Sequence, residues 1–257
     1  MIVDAHAHLG EVAAFRGADP GAEAMVALMD HLGVDLAIQT HAAGIAECFE
    51  EALAASRSAY EASGGRLYYL LCYHPRYPEA SLAAMQEARE DAGWVGIKIH
   101  PGQHEVMPED PAYEPAWRLA AEAALPLVTH SWAASDYNPT QRFSTCEHFA
   151  HYAERFPQVN LVLGHAGGRY AGHLAAARLA QAYPNVYADL SGDVYACGLI
   201  EWLVEQFGAE RVLYGSDMNW IDPRTTLGRV LDAEISLEAK RGLLGENAGR
   251  IFGLGRR

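Results

Sequence analysis

No two cysteines of this chain are spaced as C-x-x-C; Cys48, Cys72, Cys146 and Cys197 stand far apart. That argues against a redox dithiol or a cysteine-bound zinc knot. A chain of 257 residues needs no disulfide staples, so four reduced thiols are expected. No basic segment leads into an apolar run at the N-terminus, and no stretch approaches the roughly 18 apolar residues of a membrane span. A cytoplasmic protein is the expectation. Positive charge is scarce: 19 Lys and Arg face 33 Asp and Glu, for a formal charge of −14. Such a surface repels phosphate backbones and anionic headgroups, which argues against nucleic acid and membrane as partners. It leaves a small-molecule substrate open, because a few arginines can hold an anion locally. Neither G-x-G-x-x-G nor G-x-S-x-G occurs, so dinucleotide binding and serine hydrolase chemistry are not indicated.

What is present is an alternation. Apolar residues make up 50% and charged residues 20%, enough for one sizeable core. Eight short apolar runs, at 2–6, 34–40, 67–74, 94–100, 125–131, 159–165, 186–191 and 211–217, read as strands buried on both faces. Between and after them lie segments of helical period, at 22–32, 45–63, 79–92, 115–124, 147–156, 172–183, 199–207 and 237–252. Gly33 and Gly208 punctuate helix ends. An open doubly wound sheet is the structural rival. Eight repeats in a chain of this length favour a single-domain (β/α)8 TIM barrel over residues 1–257.

In such barrels chemistry gathers where the strands end at their carboxyl face. His6 and His8 flank the end of the first strand. Residues two apart on a strand point the same way, so their imidazoles converge, with Asp4 deeper on that side. The fifth strand ends at His130, the sixth at His165 and the eighth at Asp217. Each alone has a plain structural reading: a hydrogen-bonded histidine, or an aspartate capping the next segment. Together they form a natural ligand set for zinc or a similar divalent ion.

The motifs that carry this pattern run in order along nearly the whole chain. They are Val3-Asp4-Ala5-His6-Ala7-His8, Gly96-Ile97-Lys98-Ile99-His100-Pro101, Pro126-Leu127-Val128-Thr129-His130, Leu163-Gly164-His165-Ala166-Gly167-Gly168, Leu213-Tyr214-Gly215-Ser216-Asp217, and the closing segment from Gly245 to Leu254. The chain resembles the amidohydrolase superfamily, in the amidohydrolase-related branch of metal-dependent hydrolases and decarboxylases. The resemblance implies His6, His8, His130 and Asp217 as metal ligands, with His165 beside the ion as a catalytic or substrate-polarising group. It implies one divalent ion, expected to be zinc. In binuclear relatives a carboxylated lysine on the fourth strand bridges two ions, and Lys98 stands at that position, in a K-x-H-P context typical of mononuclear members.

The expected chemistry follows from charge. A divalent ion lowers the pKa of bound water to about 7. Asp217 can accept that proton and return it to the leaving group, while His165 donates to the oxyanion. Hydrolysis of an amide, lactone or related carbonyl compound is the first reading, favoured by the compactness of the chain. Non-oxidative decarboxylation of an aromatic or enoic acid uses the same ligands, with Asp217 protonating the carbon that loses carbon dioxide. A non-catalytic metal or ligand binder is the third reading. Lys98, His100, Trp132, Arg169 and Asn219 are expected to contact substrate, and the long polar segment 132–145 to shape the pocket. Arg16, Arg76 and Arg224 follow strands as well and have the chemistry to hold a substrate carboxylate, but each taken singly reads as ordinary surface arginine. His148 and His151 share a helix face and read as solvated surface. A homodimer is the commonest assembly for such a protein.

Overall fold

The computed structural model describes residues 1–12 and 21–255. Eight strands, β1 (Val3–Leu9), β2 (Leu36–His41), β3 (Leu67–Cys72), β4 (Trp94–Ile99), β5 (Leu127–His130), β6 (Leu161–Gly164), β7 (Val186–Asp189) and β8 (Val212–Leu213), lie in sequential order in one parallel sheet. Helices follow each strand and pack outside, giving a (β/α)8 barrel. Among the described residues no helix is long and apolar enough to cross a membrane.

Two apolar layers hold the barrel. Inside, Val3, Ile38, Leu70, Val95, Val128, Val162, Tyr187 and Leu213 form one buried cluster, one side chain from each strand, with Ile251 and Phe252 of the last helix packed against it. Outside, the alternate residues, such as Ile97, Leu127, Leu161, Leu163, Ala188 and Val212, meet the helices. Burying each branched side chain contributes about 1.5–3 kcal/mol. The apolar character of both faces is why these runs show no alternation in sequence.

The eighth strand pairs with β7 over only two residues, and the barrel closes on β1 by backbone contacts beyond it. Ala5 N–H donates to the Tyr214 carbonyl at 2.9 Å, and His8 N–H to the Met218 carbonyl at 2.9 Å. The His6 carbonyl accepts from Asp217 N–H at 2.8 Å and from Ser216 N–H at 3.2 Å. Asp4, fully buried, braces the same seam: its carboxylate accepts Ser216 N–H at 3.0 Å, His6 N–H at 3.2 Å and the Ser216 hydroxyl proton. Burial pushes the Asp4 carboxyl up to about 7, against the pull of its Ser216 and His6 hydrogen bonds.

Several boundaries differ from the sequence reading. The first strand continues to Leu9, so His6 and His8 lie within it rather than around its end, and its register against β2 shifts between Asp4 and Ala7. The expected helix 45–63 is two, Ala42–Ile45 and Phe49–Ala62. The expected helix 237–252 passes from Leu237–Arg241 through a π-helical turn at Gly242–Glu246 into Asn247–Phe252. A helix at Pro223–Asp232 was not expected; its apolar positions are sparse, though Asp222 caps it and Pro223 opens it.

Candidate active site

The seam that closes the barrel also builds the site. Asp217 is delivered beside β1, with Oδ1 3.2 Å from His8 Nε2 and 3.4 Å from His6 Nε2. His8 Nδ1–H donates to the Thr40 carbonyl at 3.3 Å, which leaves its Nε2 without a proton. His6 Nδ1 lies 2.8 Å from Asp189 Oδ2 and donates to it, so its Nε2 is bare as well. Lys98 Nζ donates to that Nε2 at 3.0 Å. Two imidazole lone pairs and a carboxylate oxygen thus face one another, an arrangement that a cation satisfies.

Space for the His6 ring comes from two glycines. A Cβ at Gly164 would lie 3.0 Å from His6 Cε1 and 2.8 Å from the Thr129 carbonyl oxygen, and one at Gly215 2.9 Å from His6 Cβ. Both positions admit only hydrogen without displacing the ring or the backbone.

Among the described residues His6, His165 and Asp217 form a group whose potential ligand atoms all lie within 4.8 Å of one another. His165 Nδ1 is 3.5 Å from Asp217 Oδ2. His130 reaches this group through His165: its Nδ1 is 3.0 Å from His165 Nε2, and its Nε2 is 3.0 Å from the side-chain amide of Gln141. The chemistry of the donors fits a divalent ion: imidazole nitrogens and a carboxylate, buried and convergent.

Burial sets the electrostatics. The Asp217 carboxyl is pushed up to about 6 by burial, with the neighbouring Asp189 adding to the rise and His6 opposing it. Burial and the Lys98 charge push His130 down to about 3. His8 is held well below its usual value by burial and Lys98, and His165 by burial and His130. Burial likewise lowers Lys98, partly offset by Asp189 and Asp217. Burial would raise Asp189, but His6, His165 and Ser191 together hold it well below the usual carboxylate range.

A cavity of about 720 Å³ opens above these groups. Lys98, His100 and Trp132 line it, as do Glu11, Ile45, Gln141, Tyr195 and Trp220. Flat rings make up much of the wall. Trp220 stacks on His8 at 3.5 Å with 2° between planes, and His100 stacks on His130 at 4.1 Å with 9°. Trp132 lies within 7° of the His130 plane.

Arg169 and Asn219 are not among the residues lining this cavity. Arg169 lies 5.7 Å over the Trp132 ring and pairs with Asp193 at 3.6 Å. Arg224 is tied to Asp222 on the surface, Arg76 is exposed, and Arg16 lies outside the described residues. His148 is held by Glu109 at 3.1 Å, and His151 is exposed.

Sequence reasoning missed Asp189 and Ser191, both buried at the centre of the site. Asp189 ends β7 and Ser191 follows two residues on, and a polar strand end on a barrel was the signal that could have found them; the absence of a histidine there hid it.

The amidohydrolase family profile matches residues 3–254. No match was found among curated proteins. Solved structures share the fold. A 5-carboxyvanillate decarboxylase from Sphingomonas paucimobilis superposes with a TM-score of 0.75 at 18% identity, covering 98% of each chain. A 2,6-dihydroxybenzoate decarboxylase from Rhizobium gives 0.75 at 16% identity, again covering 98% of each chain. A 5-carboxyvanillate decarboxylase from Novosphingobium aromaticivorans, in complex with manganese and 4-hydroxy-3-methoxy-5-nitrobenzoic acid, gives 0.76 at 17% identity, covering 99% of this chain and 96% of the other. With a match from the first strand to the last helix, the chain belongs to the amidohydrolase family.

Proposed function

We propose that this chain is a metal-dependent enzyme that decarboxylates a planar, conjugated carboxylic acid without oxidation. The observation that carries the reading is the pair of ring stacks, His8 on Trp220 and His100 on His130 with Trp132, which line the same cavity as the buried Asp217 carboxyl. Flat walls favour a flat substrate, and that substrate class is the one named for the solved decarboxylases.

His6, His8, His130 and Asp217 would hold one ion, zinc by the sequence reading; manganese is the ion named for the N. aromaticivorans enzyme. When bound, a divalent ion supplies Lewis acidity and fixed positive charge for the substrate's oxygens. The chain's own residues supply the proton. Asp217, its carboxyl raised by burial, lies beside the cavity and is the group placed to hand a proton to the substrate. As the bond to the carboxylate carbon breaks, its electron pair stays on the ring carbon and takes that proton. His165 Nδ1–H, 3.5 Å from Asp217 Oδ2 and 2.8 Å from Ser191 Oγ, is placed to share its proton between Ser191 and a substrate oxygen that gains negative charge. Segment 132–145 brings Trp132 and Gln141 to the cavity wall.

Hydrolysis is the second reading, and one observation favours it: Asp217 lies between His8 and His165, placed to take a proton from water and pass it to a leaving group. The compactness that favoured hydrolysis in sequence weighs less, since the chain spans 98% of two decarboxylase chains. The test is a panel of hydroxylated aromatic acids and of lactones, assayed with zinc- or manganese-loaded protein for carbon dioxide and for acid. Carbon dioxide release from an aromatic acid is expected. Acid production from a lactone without carbon dioxide release from any acid would overturn the first reading.

A further inference from the structure

Asp189 and Ser191 are used by none of the chemistry above, yet they touch both His6 and His165. We propose that Asp189, acting in part through Ser191, fixes the tautomers of His6, His165 and His130, so that each carries its ring proton on Nδ1. The assignment deepens the metal-site reading and rests on it for its consequence, but the proton positions follow from counting donors and acceptors.

Ser191 is the pivot. Its hydroxyl has one proton and three buried neighbours: Asp189 Oδ1 in close contact, His165 Nδ1 at 2.8 Å and His6 Nδ1 at 3.0 Å. Asp189 can only accept. Oδ1 already takes His165 N–H at 3.0 Å and Ser191 N–H at 3.0 Å, and Oδ2 faces His6 Nδ1 at 2.8 Å. If the hydroxyl proton turned to an imidazole, its oxygen would meet Asp189 Oδ1 lone pair to lone pair at the shortest contact of the group. The proton therefore goes to Asp189, and the hydroxyl oxygen is left as an acceptor.

The rest follows along a line. His165 Nδ1 must donate to the Ser191 oxygen, so a neutral His165 has a bare Nε2. That nitrogen lies 3.0 Å from His130 Nδ1, which must donate to it. His130 then also has a bare Nε2, and Gln141, 3.0 Å away, must turn its amide NH2 toward it. On the other branch His6 donates from Nδ1 to Asp189 directly. One carboxylate thus turns the Nε2 lone pair of His6 toward Asp217 directly, and through one hydroxyl it leaves the His130 lone pair on Nε2, where Gln141 holds it. Carboxylate support of this kind behind a ligating histidine is worth about 10–100-fold in metal affinity.

Asp189 and Ser191 are positioning residues under this proposal, and the test reads proton positions rather than turnover. Full-length, chelator-treated protein with isotopically labelled histidine is examined by long-range proton–nitrogen NMR correlation at a pH of about 8, where imidazoles are neutral. His6, His130 and His165 should each show the proton on Nδ1. In Ser191→Ala, His165 and His130 should change tautomer or become mixed, while His6 keeps its proton on Nδ1. In Asp189→Asn, which preserves shape but offers a donor, His6 should change as well, and zinc affinity by chelator competition should fall about 10–100-fold. A wild-type spectrum with His165 protonated on Nε2, or a Ser191→Ala spectrum identical to wild type, would overturn the proposal, and neither needs the Asp189 variant to fold. Because no substrate is present, a failed decarboxylase assay leaves these spectra standing, and altered spectra leave the assay standing.

Discussion

Two groups of buried histidines sit at the carboxyl end of this barrel, and they differ in where their lone pairs go. One is the candidate site, with His6, His8 and His165 beside Asp217 and His130 behind His165. The other lies after β3 and β4. There His74 accepts Arg76 N–H at Nδ1 at 3.1 Å and faces Glu47 across 3.1 Å from Nε2, while His104 Nδ1 meets the Tyr113 hydroxyl at 2.6 Å. The two rings of that second group are 4.1 Å apart, as close as the stack in the site. Neither lines the main cavity. In the second group both nitrogens of His74 are matched by a donor or an acceptor within the protein. In the first, bare nitrogens converge on a carboxylate oxygen. Burial and proximity of imidazoles do not gather acceptors at one place; in the candidate site the turn of His6 and His8 Nε2 toward Asp217 does, with Lys98 donating to His6 Nε2 as well.

That contrast can be broken by experiment. The largest effect is expected at Asp217: Asp217→Asn should lower turnover by about 10³-fold with the fold retained by circular dichroism, while Glu47→Gln in the second group should leave it within about twofold. An active Asp217→Asn enzyme would erase the distinction. Metal removal comes next. Chelation should abolish turnover, and re-addition of zinc or manganese at about 100 times the dissociation constant should restore it and stabilise the fold by about 2.7 kcal/mol. A His74→Gln variant should show the same gain, since that group takes no part. His104→Leu should cost about 1–3 kcal/mol in urea unfolding, because the buried Tyr113 hydroxyl loses its partner, with metal affinity unchanged.

The smallest and broadest effect is on pH. His8, His74, His100, His104, His130 and His165 all have values lowered in the fold from 6.5, chiefly by burial. Their contribution is present above 6.5 and is lost as pH falls through the lowered values. Asp4 and Asp217 are raised from 3.8 to about 7 and about 6, so theirs is present below 3.8 and lost as pH rises through those values. The two signs oppose, and the histidines outnumber the carboxyls. The melting temperature of metal-free protein should therefore fall as pH drops below 6.5, and less steeply in His104→Leu.

The same contrast marks how far the sequence could be read. The barrel was legible because apolar runs of strand length recur between helical segments, and the gathering of His6, His8, His130, His165 and Asp217 on one face of it because they lie toward or just beyond the carboxyl ends of their strands. Asp189 was not, because its strand end carries no histidine to draw attention to it and its contact with His6 spans 183 positions. Arg169 and Asn219 follow strand ends as lining residues do, yet Arg169 is drawn off by Asp193 and the Trp132 face, while Asn219 takes a left-handed backbone with φ of 80° just after Asp217. His104 is structural, through a hydroxyl nine positions on. The sequence holds two lysines, Lys98 and Lys240, so a buried lysine beside His6 is a costly choice that composition makes conspicuous only once its place is known.

The two-residue eighth strand has a consequence for biosynthesis. Because β8 meets β1 through the backbone of the residues that carry the site, a chain emerging from the ribosome holds its first histidines for more than 200 residues before their aspartate exists. Until then the nascent barrel has an open edge, and closing that edge and completing the site are one event. A ribosome stalled before Asp217 would hold a sheet with a free hydrogen-bonding edge and an incomplete ligand set, a species prone to pair with another like it.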